Sequence, residues 1–399
     1  MRSMRCGWIF VLVWAGCGFE APSNGRMLDA SLIDSPIDGS GTATCPWPFV
    51  TEYATPCPTA MIGTGLDLMT AGTYTYDTGT EVVTAPGGST IAVTTTVANG
   101  VRTIWTARFR VATGVTLRVV GPMPLAVISA DTIRVEGVID VGSHVAGADS
   151  GDGAGSNPTV CPLTPPIAGE QCLQHGGSGG GGGGFSGAGG RGGDGGGGRG
   201  APCGSLGLTY STGGIGGVAL SPIPAMLRGG CGGRIGGNNT DAGSLGGPPG
   251  SGGGAILMVA RSTVSVPGVI RAGGAGGGGG ILKRAGGGGG GSGGMIVLEG
   301  TSIMIDGALA ANGAGGGGGC EDANGAPGED GRGDDQVADG GANQGAGTDG
   351  GNGGAGATRA GTAATTADRG GGGGGGGTGF IRLHAATIST PGKVSPPSS

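Results

Sequence analysis

Apolar and polar residues alternate in four separated stretches of the chain. They are Val127–Gly142 (VISADTIRVEGVIDVG), Leu257–Gly273 (LMVARSTVSVPGVIRAG), Ile296–Gly313 (IVLEGTSIMIDGALAANG) and Ile381–Pro396 (IRLHAATISTPGKVSP). A period of two predicts strands with one buried face. The stretches align on a central glycine: Gly137, Gly268, Gly307 and Gly392. Four residues before it stand Ile133, Val264, Ile303 and Ile388, and two before it Val135, Val266, Ile305 and Thr390. Two after it stand Ile139, Ile270, Leu309 and Val394, and nine before it Ile128, Val259, Leu298 and Leu383. The glycine falls where two short strands meet, as a bend or bulge requires. A weaker fifth copy has Phe109 and Val111 before Gly114, with Leu117 and Val119 after it. Leu117 and Ile139 are 22 residues apart. That spacing suits one coil of a parallel β-helix, in which like positions stack into apolar ladders.

Between the strand stretches lies glycine, 107 of 399 residues. Runs occupy 179–184, 195–198, 276–280, 286–291, 315–319 and 370–377. Ordering a glycine costs roughly 0.5–1 kcal/mol more than ordering an alanine. The runs are therefore either disordered or held by backbone hydrogen bonds, as in packed three-fold strands resembling polyglycine II. The expected fold class is all-β: parallel β-helix or solenoid-like coils, about five, with long Gly-rich inserts. The expected boundaries are a β region with a possible cap at 45–104, first coils at 105–142 and a Gly-rich insert at 143–253. Two coils follow at 254–313, then a Gly-rich acidic insert at 314–378 and a last coil with tail at 379–399.

The first residues read as an address. Arg2 and Arg5 precede an apolar run, Trp8–Gly16 (WIFVLVWAG), too short for a membrane span and suited to a signal peptide. Ala15-Gly16-Cys17 resembles a bacterial lipobox, with Trp14 departing from its usual aliphatic residue. The resemblance implies a lipoprotein-type signal peptide at 1–17 ending at the lipobox Cys, with cleavage on the amino-terminal side of a lipidated Cys17, and Gly18 in place of Asp implies the outer membrane. Residues 18–44, with Pro22, Pro36 and scattered Ser and Gly, read as a flexible tether.

Nine cysteines are present. Beyond Cys6 and Cys17, the pairs Cys45–Cys57, Cys161–Cys172 and Cys203–Cys231 are candidate disulfides, although spacing cannot fix connectivity. No CxxC spacing marks a zinc or redox site. The net charge of −6 argues against a nucleic-acid partner. Arg-Gly-Gly at 191, 228 and 369, Arg332-Gly333-Asp334 and the many GxGxxG matches read as by-products of composition. Glu321, Asp322, Glu329, Asp330, Asp334, Asp335 and Asp339 accompany one base, Arg332, and read as a self-repelling solvated loop with at most weak Ca²⁺ affinity. A glycan-cleaving coil needs carboxylates gathered on neighbouring coils. Here Asp131 aligns with Ser262, Thr301 and Ala386, and Asp140 with Arg271, Ala310 and Ser395. His144, His175 and His384 read as isolated. No catalytic, cofactor or metal residue is assigned.

The stretch from Thr113 to Gly142 (TGVTLRVVGPMPLAVISADTIRVEGVIDVG), with Gly-rich blocks around GGMIVLEGTSIMIDGALAANGAGGGGG, resembles Gly-rich exported lipoproteins common in myxobacteria. The resemblance covers about Gly63–Pro397 and implies cell-surface residence and no particular activity. The expectation is a non-enzymatic surface or envelope protein, structural or adhesive, held to the membrane by its lipid. The alternative is a carbohydrate-binding or carbohydrate-active β-helix acting on polysaccharide.

Overall fold

Aliphatic residues at these spacings form eighteen strands and no helix among the described residues. The computed structural model of the protein describes residues 51–53, 64–145, 150–159, 161, 169, 176–196, 211–239, 243–366 and 368–399. The signal peptide, Cys17 and the tether lie outside them, as do Cys45, Cys57, Cys172 and Cys203. Residues Cys45–Ser399 make up one compact unit.

The strands build two mixed sheets, of ten and eight strands, most of whose pairs are parallel. In chain order they fall into three stacks. The first holds Val101–Thr106, Leu125–Ser129, Ala255–Ala260 and the front halves of Met295–Ile305 and Phe380–Ser389. The second holds Leu66–Leu68, Phe109–Val111, Ile133–Val135, Thr263–Val266 and the rear halves of the same two long strands. The third, six strands of the eight-stranded sheet, holds Gly72–Asp77, Val115–Val120, Val138–Asp140, Val269–Arg271, Ala308–Ala310 and Lys393–Ser395, and Val82–Thr84 and Thr90–Ala92 extend that sheet antiparallel beyond Gly72–Asp77.

The registers put like residues on top of one another. Ile133 pairs with Val264, Val264 with Ile303 and Ile303 with Ile388. Leu117 pairs with Ile139, Ile139 with Ile270, Ile270 with Leu309 and Leu309 with Val394. Ile133, Val264, Ile303, Ile139, Ile270 and Leu309 are fully buried in one continuous core. The central glycine is obligatory: a methyl on Gly268 would run into the carbonyl oxygen of Gly137, and one on Gly307 into that of Gly268.

One column differs from the alignment. Val259 pairs with Glu299, not Leu298; Leu298 pairs with Met258, and Met258 with Val127. The corner between the first and second stacks is one residue shorter at Gly300 than at Ser129–Asp131 or at Ala260–Ser262. The shorter corner lets Met295–Ile305 run unbroken. A one-residue slip moves side chains to the opposite face. Ile128 and Val259 therefore point outward, into a second core with Leu257, Val297, Phe185, Leu227 and Phe380. Phe185 and Phe380 meet edge to face at 5.0 Å, and the Arg228 guanidinium lies 5.3 Å from the Phe185 ring centre.

The described Gly tracts are hydrogen-bonded in a three-residue rhythm. Along 286–294, successive N–H groups turn to three neighbours. Gly286, Gly289 and Ser292 donate to Gly237, Arg234 and Cys231; Gly287, Gly290 and Gly293 to Gly371, Gly374 and Gly377. Gly288, Gly291 and Gly294 donate to Gly278, Ala275 and Ala272. Their carbonyls accept from three further tracts, through Gly180 and Gly183, Gly247 and Gly250, and Gly317 and Ala314. One extended strand thus has six neighbours. Interstrand space is too small for a side chain, since a Cβ on Gly289 would strike the carbonyl of Gly181.

The disulfide pattern also departs from expectation. Cys161 is bonded to Cys231, 70 residues away, with a Cα–Cα distance of 5.8 Å. This replaces both Cys161–Cys172 and Cys203–Cys231. The Gly bundle brings 161 and 231 together from distant tracts, so proximity in sequence was a poor guide. Cys320 is free and buried.

Candidate functional site

The densest polar chemistry sits where the third stack gives way to the Gly tracts. Asp140 ends Val138–Asp140 and is fully buried, in register with Arg271 on the next strand and Arg118 on the previous one. Arg271 Nη2 approaches Asp140 Oδ2 at 2.9 Å, and Arg118 Nη1 lies 3.5 Å from Oδ1. The Gly142 N–H donates to Oδ1 at 2.9 Å. His144 reaches back, with Nε2 at 2.9 Å from Asp140 Oδ2, and holds Asp330 Oδ2 with Nδ1 at 3.1 Å. Asp330 also accepts from the N–H groups of Val145 at 3.1 Å and Gly276 at 2.9 Å.

Burial by itself would raise the Asp140 pKa; the His144 hydrogen bond and the Arg271 and Arg118 charges outweigh it and hold the carboxyl at about 2. Burial likewise opposes charge on His144, but hydrogen bonds to Asp140 and Asp330 lift it to about 9. At neutral pH the imidazolium donates from both nitrogens, so neither is left to take a proton from a substrate. The arrangement is a charge clip. It ties the third stack to the tracts at 276 and 330.

His144 is thus not isolated, and the acidic insert is not a self-repelling loop with one base. Arg332 pairs with Glu329 at 2.6 Å and Asp339 at 3.2 Å, Arg369 with Glu321 at 2.9 Å, and Lys393 with Asp335 at 2.8 Å. Asp330 is taken by the clip. Among the described residues no three His, Cys, Asp or Glu side chains group to hold a metal ion.

A second cluster lies on the outward face of the first stack. Glu299, fully buried, accepts from the Glu52 N–H at 3.2 Å. Burial raises its pKa, against the pull of that hydrogen bond and of His384. Glu52 is held low by its hydrogen bonds from Arg382, one of them at 2.8 Å. His384 Nδ1 is 3.9 Å from Glu52, so His384 is not isolated either. Two carboxylates with opposed shifts are the signature of an acid–base pair, yet Glu299 has no exposed surface through which a substrate could reach it. The sequence carried a sign of this site, a charged residue inside the apolar run MIVLEG.

Comparison with known protein families, curated proteins and solved structures finds no match for this chain. Its own geometry carries the functional reading. One open groove of about 480 Å³ crosses the corner between the first and second stacks, lined by Asp131, Arg261, Ser262, Thr263, Thr301 and Ser302. Ser262 Oγ donates to the Asp131 carbonyl at 3.0 Å and is 3.2 Å from its carboxylate, and Thr301 donates to the Arg261 carbonyl at 2.9 Å. Asp131 is the groove's single carboxylate. No helix of the described residues is long and apolar enough to cross a membrane.

Proposed function

We propose that this chain is a non-enzymatic surface or envelope protein with a structural or adhesive role, anchored to the outer membrane by lipid on Cys17. In this reading the three stacks are the faces of a parallel β-solenoid of five coils, and the Gly tracts are a polyglycine II-like bundle carried on one side of it. The observation behind it is the six-neighbour hydrogen bonding of 286–294. A lattice of backbone offers few side chains for chemistry but holds its exposed loops in fixed positions. The charge clip supports the same reading, since it consumes its ionisable groups in joining two layers.

The second reading, a carbohydrate-binding or carbohydrate-active β-helix, draws on the hydroxyl-lined groove around Asp131 and Arg261. Incubation of the full chain with a polysaccharide panel, read for both retention and soluble product, separates the two. The structural reading expects no product; release of oligosaccharide from any member overturns it. Metabolic palmitate labelling tests the anchor: label is expected on the full chain and lost in Cys17→Ala, and label that survives refutes lipidation there.

A further inference from the structure

Arg228 is a half-buried cation that, among the described residues, no carboxylate meets. Its guanidinium lies over Phe185, its Nε is buried with no hydrogen-bond partner, and its Nη2 is 3.7 Å from Cys231 Sγ. Burial pushes its pKa down, and no acidic side chain holds it up. Taking such a charge out of water costs free energy, and contact with one aromatic ring offsets only part of that cost. What the position lacks is an anion.

The sulfur beside Arg228 is one half of a disulfide whose other half is within reach of solvent. Cys231 is 1% exposed. Its partner Cys161 is partly exposed and lines an open groove of about 400 Å³ with Asn157, Pro158, Thr159, Arg234 and Ser251. The Pro158 carbonyl oxygen sits 3.4 Å from Cys161 Sγ. Negative charge is therefore disfavoured on Cys161 and favoured on Cys231.

We propose that Cys161–Cys231 is an exchange-active disulfide, attacked at Cys161 by a small-molecule thiol that enters the groove, with Cys231 leaving as a thiolate against Arg228. The thiol first gives its proton to solvent. Its sulfur then bonds to Cys161 Sγ as the Cys161–Cys231 bond breaks, and the electron pair of the broken bond stays on Cys231 Sγ. The attacking sulfur is oxidised and Cys231 is reduced, so no further reagent is consumed. Cys231 stays close enough to attack Cys161 in turn and expel the thiol, which makes the exchange reversible. Attack is faster the more readily the leaving sulfur carries charge, and a neighbouring guanidinium favours the thiolate. Access selects the sulfur attacked, and charge selects the sulfur released.

The test exposes the full chain, purified in mild detergent with its disulfide intact, to reduced glutathione at mildly alkaline pH. Samples quenched early with acid and N-ethylmaleimide are mapped without reduction. Glutathione should appear on Cys161, with Cys231 alkylated. Glutathione on Cys231, or a Cys161–Cys231 peptide that persists while glutathione exchanges with an exposed model disulfide in the same tube, overturns the proposal. Arg228→Met should slow formation of the adduct about tenfold, and Arg228→Lys should restore most of the rate. A guanidinium that only packs on Phe185 predicts the reverse, because its loss loosens the site and speeds attack. An unchanged or faster rate in Arg228→Met therefore refutes the role given to Arg228. Thr159→Trp, at an exposed position on the groove wall, should slow the reaction severalfold with an unchanged far-UV spectrum. A rate equal to that of the natural chain refutes entry through the groove.

Discussion

Replacing Gly289 by alanine separates a packed bundle from a loose tract by the sign of its effect. In a mobile segment Gly→Ala lowers the entropy of the unfolded chain and stabilises by about 0.4–1 kcal/mol where the native conformation tolerates it. In the bundle the new methyl meets the carbonyl oxygen of Gly181. Relieving that overlap costs about 1–3 kcal/mol, as overpacking does elsewhere. The shift also disturbs the bonds from Gly289 N–H to Arg234 O at 2.8 Å and from Gly250 N–H to Gly289 O at 2.9 Å. Weakening these adds about 1–2 kcal/mol. After the entropy gain, the net loss is about 2–4 kcal/mol, or about 3–5 °C in melting temperature for a unit of this size. Gly333→Ala is the control, because its Cβ would sit at ordinary contact, 3.6 Å from Arg271 Cδ and 3.8 Å from Val269 Cγ1. Thermal unfolding followed by circular dichroism should show Gly289→Ala destabilised and Gly333→Ala neutral or slightly stabilised. A Gly289→Ala protein as stable as the control would refute the packing described for 286–294.

Three further outcomes follow from particular contacts. Ile303→Asp buries an unpaired charge and should cost roughly 3 kcal/mol or more, whereas Met304→Asp, at a residue 44% exposed on the same strand, should cost under about 0.5 kcal/mol in denaturant unfolding. The charge clip should be pH-dependent at both ends. His144, raised from 6.5 to about 9, contributes fully below 6.5 and is lost as pH rises through 9; Asp140, lowered from 3.8 to about 2, contributes above 3.8 and is lost as pH falls through 2. The stability difference between the natural chain and His144→Asn should therefore shrink by about 1–2 kcal/mol, discounted for partial solvent screening, between pH 6.5 and 9; a flat difference would contradict the clip. Peptide mapping without reduction should recover Cys161 linked to Cys231, and Cys231→Ser should lose about 4 kcal/mol on the loop-entropy estimate for this separation; a Cys161–Cys172 peptide would overturn the pairing.

Much of the strand framework was legible in sequence because each strand stretch repeats one local rule. The residues around Gly137, Gly268, Gly307 and Gly392 alternate strictly, and a central glycine is required wherever neighbouring backbones nearly touch. The column through Val259 was misread because the corner between it and the central glycine is one residue shorter in Met295–Ile305 than in the stretches before it, and a count from the glycine crosses that corner. Contacts between the stacks and the inserts were not legible. Asp140 and Asp330 are 190 residues apart, and nothing in either neighbourhood names the other. Only the Gly lattice brings them to the two sides of His144. The same lattice sets Cys161 against Cys231. The ambiguity over the glycine runs was physical: composition permits both a disordered coil and a bonded strand, and the choice depends on how many neighbours each tract finds.

Hydrogen exchange of backbone amides in the native protein tests the central claim most directly. Amides of 286–294 and 371–377 should be protected to a degree comparable with Met295–Ile305, since each donates to a neighbouring tract or strand. Exchange of those amides at the rate of an unstructured chain, while Met295–Ile305 stays protected, would contradict the bundle and with it the proposed scaffold.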